Sequence, residues 1–62
     1  MCIATVYIDN KGELKEAMRD VVYIEVENNR YHLVSLLGEK QYLDGKLKSI
    51  DFWQEHSVVI EQ

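Results

Sequence analysis

The feature that most constrains this chain is its alternation of apolar and polar residues between closely spaced turn signals, with no proline to interrupt it. Successive side chains of a strand point to opposite faces, so a period of two marks a β-strand. In residues 2–9, Cys2, Ala4, Val6 and Ile8 share one face, and Ile3, Thr5 and Tyr7 the other. Asn10-Lys11-Gly12 then reads as a tight turn. Residues 21–27 alternate again, with Val22, Ile24 and Val26 on one face and Tyr23, Glu25 and Glu27 on the other. Asn28-Asn29 is a good two-residue hairpin turn, since asparagine tolerates the left-handed region. Residues 30–37 are the partner strand. Gly38-Glu39 makes another turn and 40–43 a short strand. Asp44-Gly45 carries a type I′ turn signal, and 46–52 follow as a strand. Residues 53–56 form a corner before a last strand over 57–61.

Residues 13–20 are the ambiguous stretch. Their Leu, Lys, Glu, Ala, Met and Arg favour helix by propensity. About two turns of helix are marginal in isolation, however, and pairing back onto the first strand competes well, so a strand is expected. Six to seven short strands result, at spacings of roughly 8–10 residues. A chain of 62 residues cannot make two full sheets around a thick core. The expected fold is all-β: a small, strongly bent antiparallel barrel of the SH3-like or Sm-like kind, with residues 1–62 as one domain.

A domain of this size buries only roughly 60% of the surface its unfolded chain exposes. One cysteine cannot form an internal disulfide, and unstapled small domains often gain stability from oligomerisation or a bound metal. A dimer or larger assembly is therefore expected. Eleven acidic residues against seven basic ones, a formal charge of −4, disfavour non-specific nucleic-acid binding. The N-terminus shows no signal-peptide pattern, no apolar run is long enough to span a membrane, and a free cysteine suits a reducing compartment. A cytoplasmic location is expected.

Most catalytic templates fail on inventory: there is no glycine-rich phosphate loop, no Cys-x-x-Cys and no His-x-x-x-His. Cys2 with a histidine mimics a nucleophile–base dyad, but a nucleophile at a chain end lacks a rigid oxyanion hole, so an enzyme is not expected. His32 reads as a half-exposed strand residue and His56 as a turn residue bonded to backbone. Phe52 and Trp53 read as core or subunit interface. The acidic pairs Glu25/Glu27 and Asp9/Glu13 read as solvent-facing, and nothing matches an EF-hand. Arg30, Lys40, Lys46 and Lys48 read as a solvated face that blunts edge strands.

Cys2 has two readings. One is a small hydrophobe starting a strand. The other is a metal thiolate. If Met1 is removed, the α-amine of Cys2 lies beside its own thiol, and the two close a five-membered chelate ring. Such N and S donors suit Ni(II) or Cu(II) in square-planar geometry. One chain supplies too few ligands; two chains about a two-fold axis supply two thiolates and two nitrogens.

The opening MCIATVYI, the central DVVYIEVENNRYHLVSLLGE, the segment DGKLKSIDF and the closing HSVVIE together resemble the CooT family. These are small nickel-binding accessory proteins of carbon monoxide dehydrogenase maturation, also labelled predicted RNA-binding proteins. The resemblance covers nearly the whole chain, and its most specific element is Met-Cys at the start of the first strand. It implies a homodimer that holds Ni(II) at the subunit interface through Cys2, with the carbon monoxide dehydrogenase maturation machinery as partner. The rival readings are an RNA-binding module using Arg30, Lys40, Lys46 and Lys48 with Tyr31 or Trp53, and a protein–protein adaptor in which Cys2 is simply packed. The net charge of −4 counts against RNA.

Overall fold

A computed structural model describes residues 3–62. Six strands follow one another: β1 (Ala4–Asn10), β2 (Glu13–Glu27), β3 (Arg30–Ser35), β4 (Lys40–Asp44), β5 (Lys46–Asp51) and β6 (Ser57–Glu61). They form one sheet in the order β4-β3-β2-β1-β6-β5. The all-β expectation therefore holds. Residues 13–20 are strand, as expected; their ladder with β1, from Asn10↔Glu13 to Ala4↔Val21, outweighs helix propensity.

The two short hairpin turns are those the sequence marks. Lys11 and Gly12 have φ of 56° and 90°, and Asn28 and Asn29 of 51° and 63°. Positive φ at both central residues matches the right-handed twist of the flanking strands. The third strand ends at Ser35 rather than at residue 37. Leu36 and Leu37 lie in the turn, where Leu36 N–H donates to the Asp20 carbonyl and Gly38 N–H to that of Ser35.

Two expectations need correction. The sheet is mixed rather than wholly antiparallel, because β6 runs parallel to β1, with Val6↔Val58 and Ile8↔Ile60 in register. That register lays apolar side chains of both strands together on the core face. Nor does Asp44-Gly45 make a hairpin. β4 pairs with β3 and β5 with β6, so Gly45 carries the chain from one wing of the sheet to the other. Gly45 has φ of 151°, and a Cβ there would lie 2.6 Å from the Glu61 carbonyl oxygen. Glycine is needed for that close approach.

The sheet is bent but not closed: among the described residues no ladder joins β4 to β5. Among the described residues its two wings meet through three hydrogen bonds. Leu47 N–H donates to the Tyr31 hydroxyl oxygen at 2.8 Å, Gly45 N–H to the Asn29 carbonyl at 3.0 Å, and Gln62 Nε2 to the Asp44 carbonyl at 2.8 Å. The core lies inside the bend. Val6, Leu33 and Ile60 are fully buried, with Ala4, Val21, Tyr31, Leu43 and Val58 around them. Each fully buried aliphatic side chain contributes about 1.5–3 kcal/mol.

Candidate functional site at the start of the first strand

The expected metal residue, Cys2, lies outside the described residues, and the site is built here from what surrounds the start of β1. Ala4 is buried and pairs with Val21 of β2. On the other side, Thr5 N–H donates to the His56 carbonyl at 3.0 Å, directly before the parallel pair Thr5↔Ser57. His56 is exposed and has φ of 52°. Its ring meets that of Phe52 edge-on, with centroids 6.4 Å apart.

The corner that carries His56 is organised by Asp51. Its Oδ1 accepts from the backbone N–H groups of Trp53 at 2.8 Å and Gln54 at 3.0 Å, and its Oδ2 from Glu55 at 3.4 Å. The N–H groups of Gln54 and Trp53 hold the carboxyl below the usual carboxylate range. A single carboxylate thus shapes the loop beside the first strand, as asparagine and aspartate do in Asx turns.

Beside the same end of β1 an apolar groove opens between β2 and β5. Ala4 and Val58 form its floor, Val22 and Ile24 one wall, Ile50 and Phe52 the other, around a volume of about 260 Å³. The sequence reading missed it. Its signal was present, however, in the apolar Val22, Ile24, Ile50 and Phe52 that these two segments carry.

The two histidines are not brought together. His32 lies on β3, stacked on Tyr42 at 4.5 Å with an interplanar angle of 13°, and edge-on to Tyr23. Its Nδ1 is 3.9 Å from Glu25 Oε1. This is a cross-strand cluster, since Glu25, His32 and Tyr42 occupy one row of β2, β3 and β4. Among the described residues no group of three or more His, Cys, Asp or Glu is gathered that could hold a metal.

Asp9 corrects another expectation. It does not face solvent with Glu13 but is 3% exposed. Its Oδ1 accepts from Gly12 N–H at 2.8 Å and its Oδ2 pairs with the Lys48 ammonium. The Lys48 hydrogen bond, then that from Gly12, holds the Asp9 carboxyl below its ordinary value. The pattern Asp-Asn-Lys-Gly signals this arrangement, an aspartate capping its own turn.

The basic residues do not form a free cluster. Lys48 is held by Asp9, and Arg30 Nε lies 3.3 Å from Asp44 Oδ1 with its guanidinium over the Tyr42 ring. Tyr31 is buried and hydrogen-bonded, which removes it as a stacking platform, while Trp53 is 88% exposed and so outside the core. Among the described residues no helix is long and apolar enough to cross a membrane.

Comparison with protein families gives a match over residues 1–61 to the model described as CO dehydrogenase accessory protein CooT. Comparison with curated proteins and with solved structures gave no match.

Proposed function

The chain belongs to the CooT family of CO dehydrogenase accessory proteins, and from that premise we propose that it carries Ni(II) for the maturation of that enzyme, held by Cys2 of two copies at a homodimer interface. The observation that carries this reading is the family match itself, which spans the chain's only cysteine. The donor chemistry supports it. A thiolate with nitrogen donors suits Ni(II), and with no further cluster among the described residues, a second copy is the economical source of the remaining ligands. The neighbourhood supports it too: the start of β1 lies between an exposed corner and an apolar groove.

In this reading the protein performs no chemical step. Cys2 loses its proton on binding the metal, so affinity falls as pH falls. Cytoplasmic location and a partner in the carbon monoxide dehydrogenase maturation machinery complete the proposal.

The test is a Ni(II) titration followed by absorption, with the intact mass recorded to establish whether Cys2 carries the α-amine. Thiolate-to-nickel charge transfer should appear and be lost in Cys2→Ser. Absence of the band from protein whose first residue is Cys2 overturns the reading.

A further inference from the structure

We propose that a second copy of this chain packs on the end of the sheet where β1 begins, covering the apolar groove and the corner that carries Phe52 and Trp53. The inference rests on the homodimer reading above and names the surface through which the two copies meet.

The two ends of the sheet differ in the chemistry of their connections. At one end lie Asn10-Lys11-Gly12, Asn28-Asn29 and Asp44-Gly45, the last two joined by the hydrogen bond from Gly45 N–H to the Asn29 carbonyl. None of these carries a large apolar residue. At the other end, the start of β1 is flanked by the turn between β3 and β4 and the corner between β5 and β6. The turn is tied to β2 by the hydrogen bond from Leu36 N–H to the Asp20 carbonyl, one residue before Val21, the partner of Ala4. The corner is tied to β1 by the bond from Thr5 N–H to the His56 carbonyl. These two connections carry Leu36-Leu37 and Phe52-Trp53, and all four side chains are exposed, Leu37 by 89% and Trp53 by 88%. Connections that meet only water are ordinarily polar. Apolar surface gathered at one end marks an interaction site.

Trp53 adds nothing to the core, yet the corner holds its backbone in place. Asp51 accepts from the N–H groups of Trp53, Gln54 and Glu55. An ordered backbone has less freedom to lose on association. Tryptophan is also among the residues that most often dominate the energy of an interface.

The occupant follows from the distance between Cys2 and β1. Cys2 is two residues from Ala4, and two residues span at most about 7 Å. An ion shared equally by Cys2 of two copies therefore lies close to Ala4 of both, on the two-fold axis that relates them. The surface around Ala4 is then the surface nearest the partner. It comprises the groove, with Ala4 and Val58 as its floor and Val22, Ile50 and Phe52 in its walls, and the corner beside it. A two-fold contact sets one patch against its own copy, a condition that an apolar patch meets. A client protein reaches only what the pair leaves uncovered.

Two measurements, made with Ni(II) present, test the proposal. In sedimentation across a concentration series, Trp53→Ser should raise the dimer dissociation constant by at least about tenfold, as expected for an interface anchor. Leu14→Ser should leave it unchanged, because Leu14 is an exposed leucine beside the Asn10–Gly12 turn at the opposite end. The second measurement needs no variant. Trp53 is the chain's one tryptophan, so its emission maximum should move to shorter wavelength as the wild type passes from monomer to dimer. A dimer whose emission maximum does not move, and in which Trp53→Ser associates as tightly as Leu14→Ser, overturns this interface and leaves the dimer reading standing. A wild-type chain that stays monomeric throughout the series overturns both.

Discussion

The hydroxyl oxygen of Tyr31 on β3 accepts a 2.8 Å hydrogen bond from the backbone N–H of Leu47 on β5, although three strands separate them in the sheet. With the Gly45–Asn29 and Gln62–Asp44 hydrogen bonds, that contact ties the two wings of the open sheet together.

Tyr31→Phe keeps the ring in the core and removes only the acceptor. The expected loss is about 0.5–1.5 kcal/mol, the net value of one hydrogen bond. For a chain of this size that lowers the melting temperature by several degrees, roughly 4–8 °C per kcal/mol. Thermal unfolding followed by circular dichroism checks it, and an unchanged midpoint would show that the bend is held by the backbone alone.

The glycines separate two kinds of need. At Gly12, φ of 90° is left-handed but a Cβ meets nothing within 4 Å. Gly12→Ala should therefore cost about 1 kcal/mol, from backbone conformation. At Gly45 a Cβ also strikes the Glu61 carbonyl at 2.6 Å and Ile60 Cγ2 at 2.8 Å. Gly45→Ala should cost more, about 2–4 kcal/mol, by adding overpacking to the backbone term. Urea unfolding of both variants gives the order, and equal midpoints would contradict it.

The Asp9–Lys48 pair predicts an acid-sensitive contribution. The Asp9 carboxyl is held below its ordinary value of 3.8 by Lys48 and Gly12. A carboxyl with a depressed folded value stabilises the fold fully above the unfolded value and loses that contribution as pH falls through the folded one. The stability difference between wild type and Asp9→Asn should thus be level near neutrality and shrink below about pH 4. The Lys48 ammonium is raised above 10.5, mainly by the hydrogen bond to Asp9, so its contribution is present below that value and fades at higher pH. Urea midpoints measured from pH 3 to 7 test the acid side; a difference that stays constant through that range rules out the pair as its source.

How much was legible in the sequence follows the range of the interactions involved. The Lys11-Gly12 and Asn28-Asn29 turns depend on the backbone preferences of the residues that occupy them, and both stand where expected. Strand character in residues 13–20 was readable because a two-turn helix competes poorly with a ladder. Asp44-Gly45 misled because hairpin chemistry is local, whereas the choice of partners by β4 and β5 is not. The parallel pairing of β1 with β6 was hidden for the same reason, since it joins segments from opposite ends of the chain. In the candidate site, Cys2 was conspicuous as the one thiol. The corner shaped by Asp51 and the groove beside Ala4 were not visible, because each depends on how distant strands meet.

The central claim is that two copies hold one nickel ion through Cys2. Native mass spectrometry of the protein with added Ni(II) tests it most directly. The account predicts a dimer carrying a single nickel ion, and an apo species for Cys2→Ser under the same conditions. Nickel bound to a monomer, or retained equally by Cys2→Ser, would contradict it.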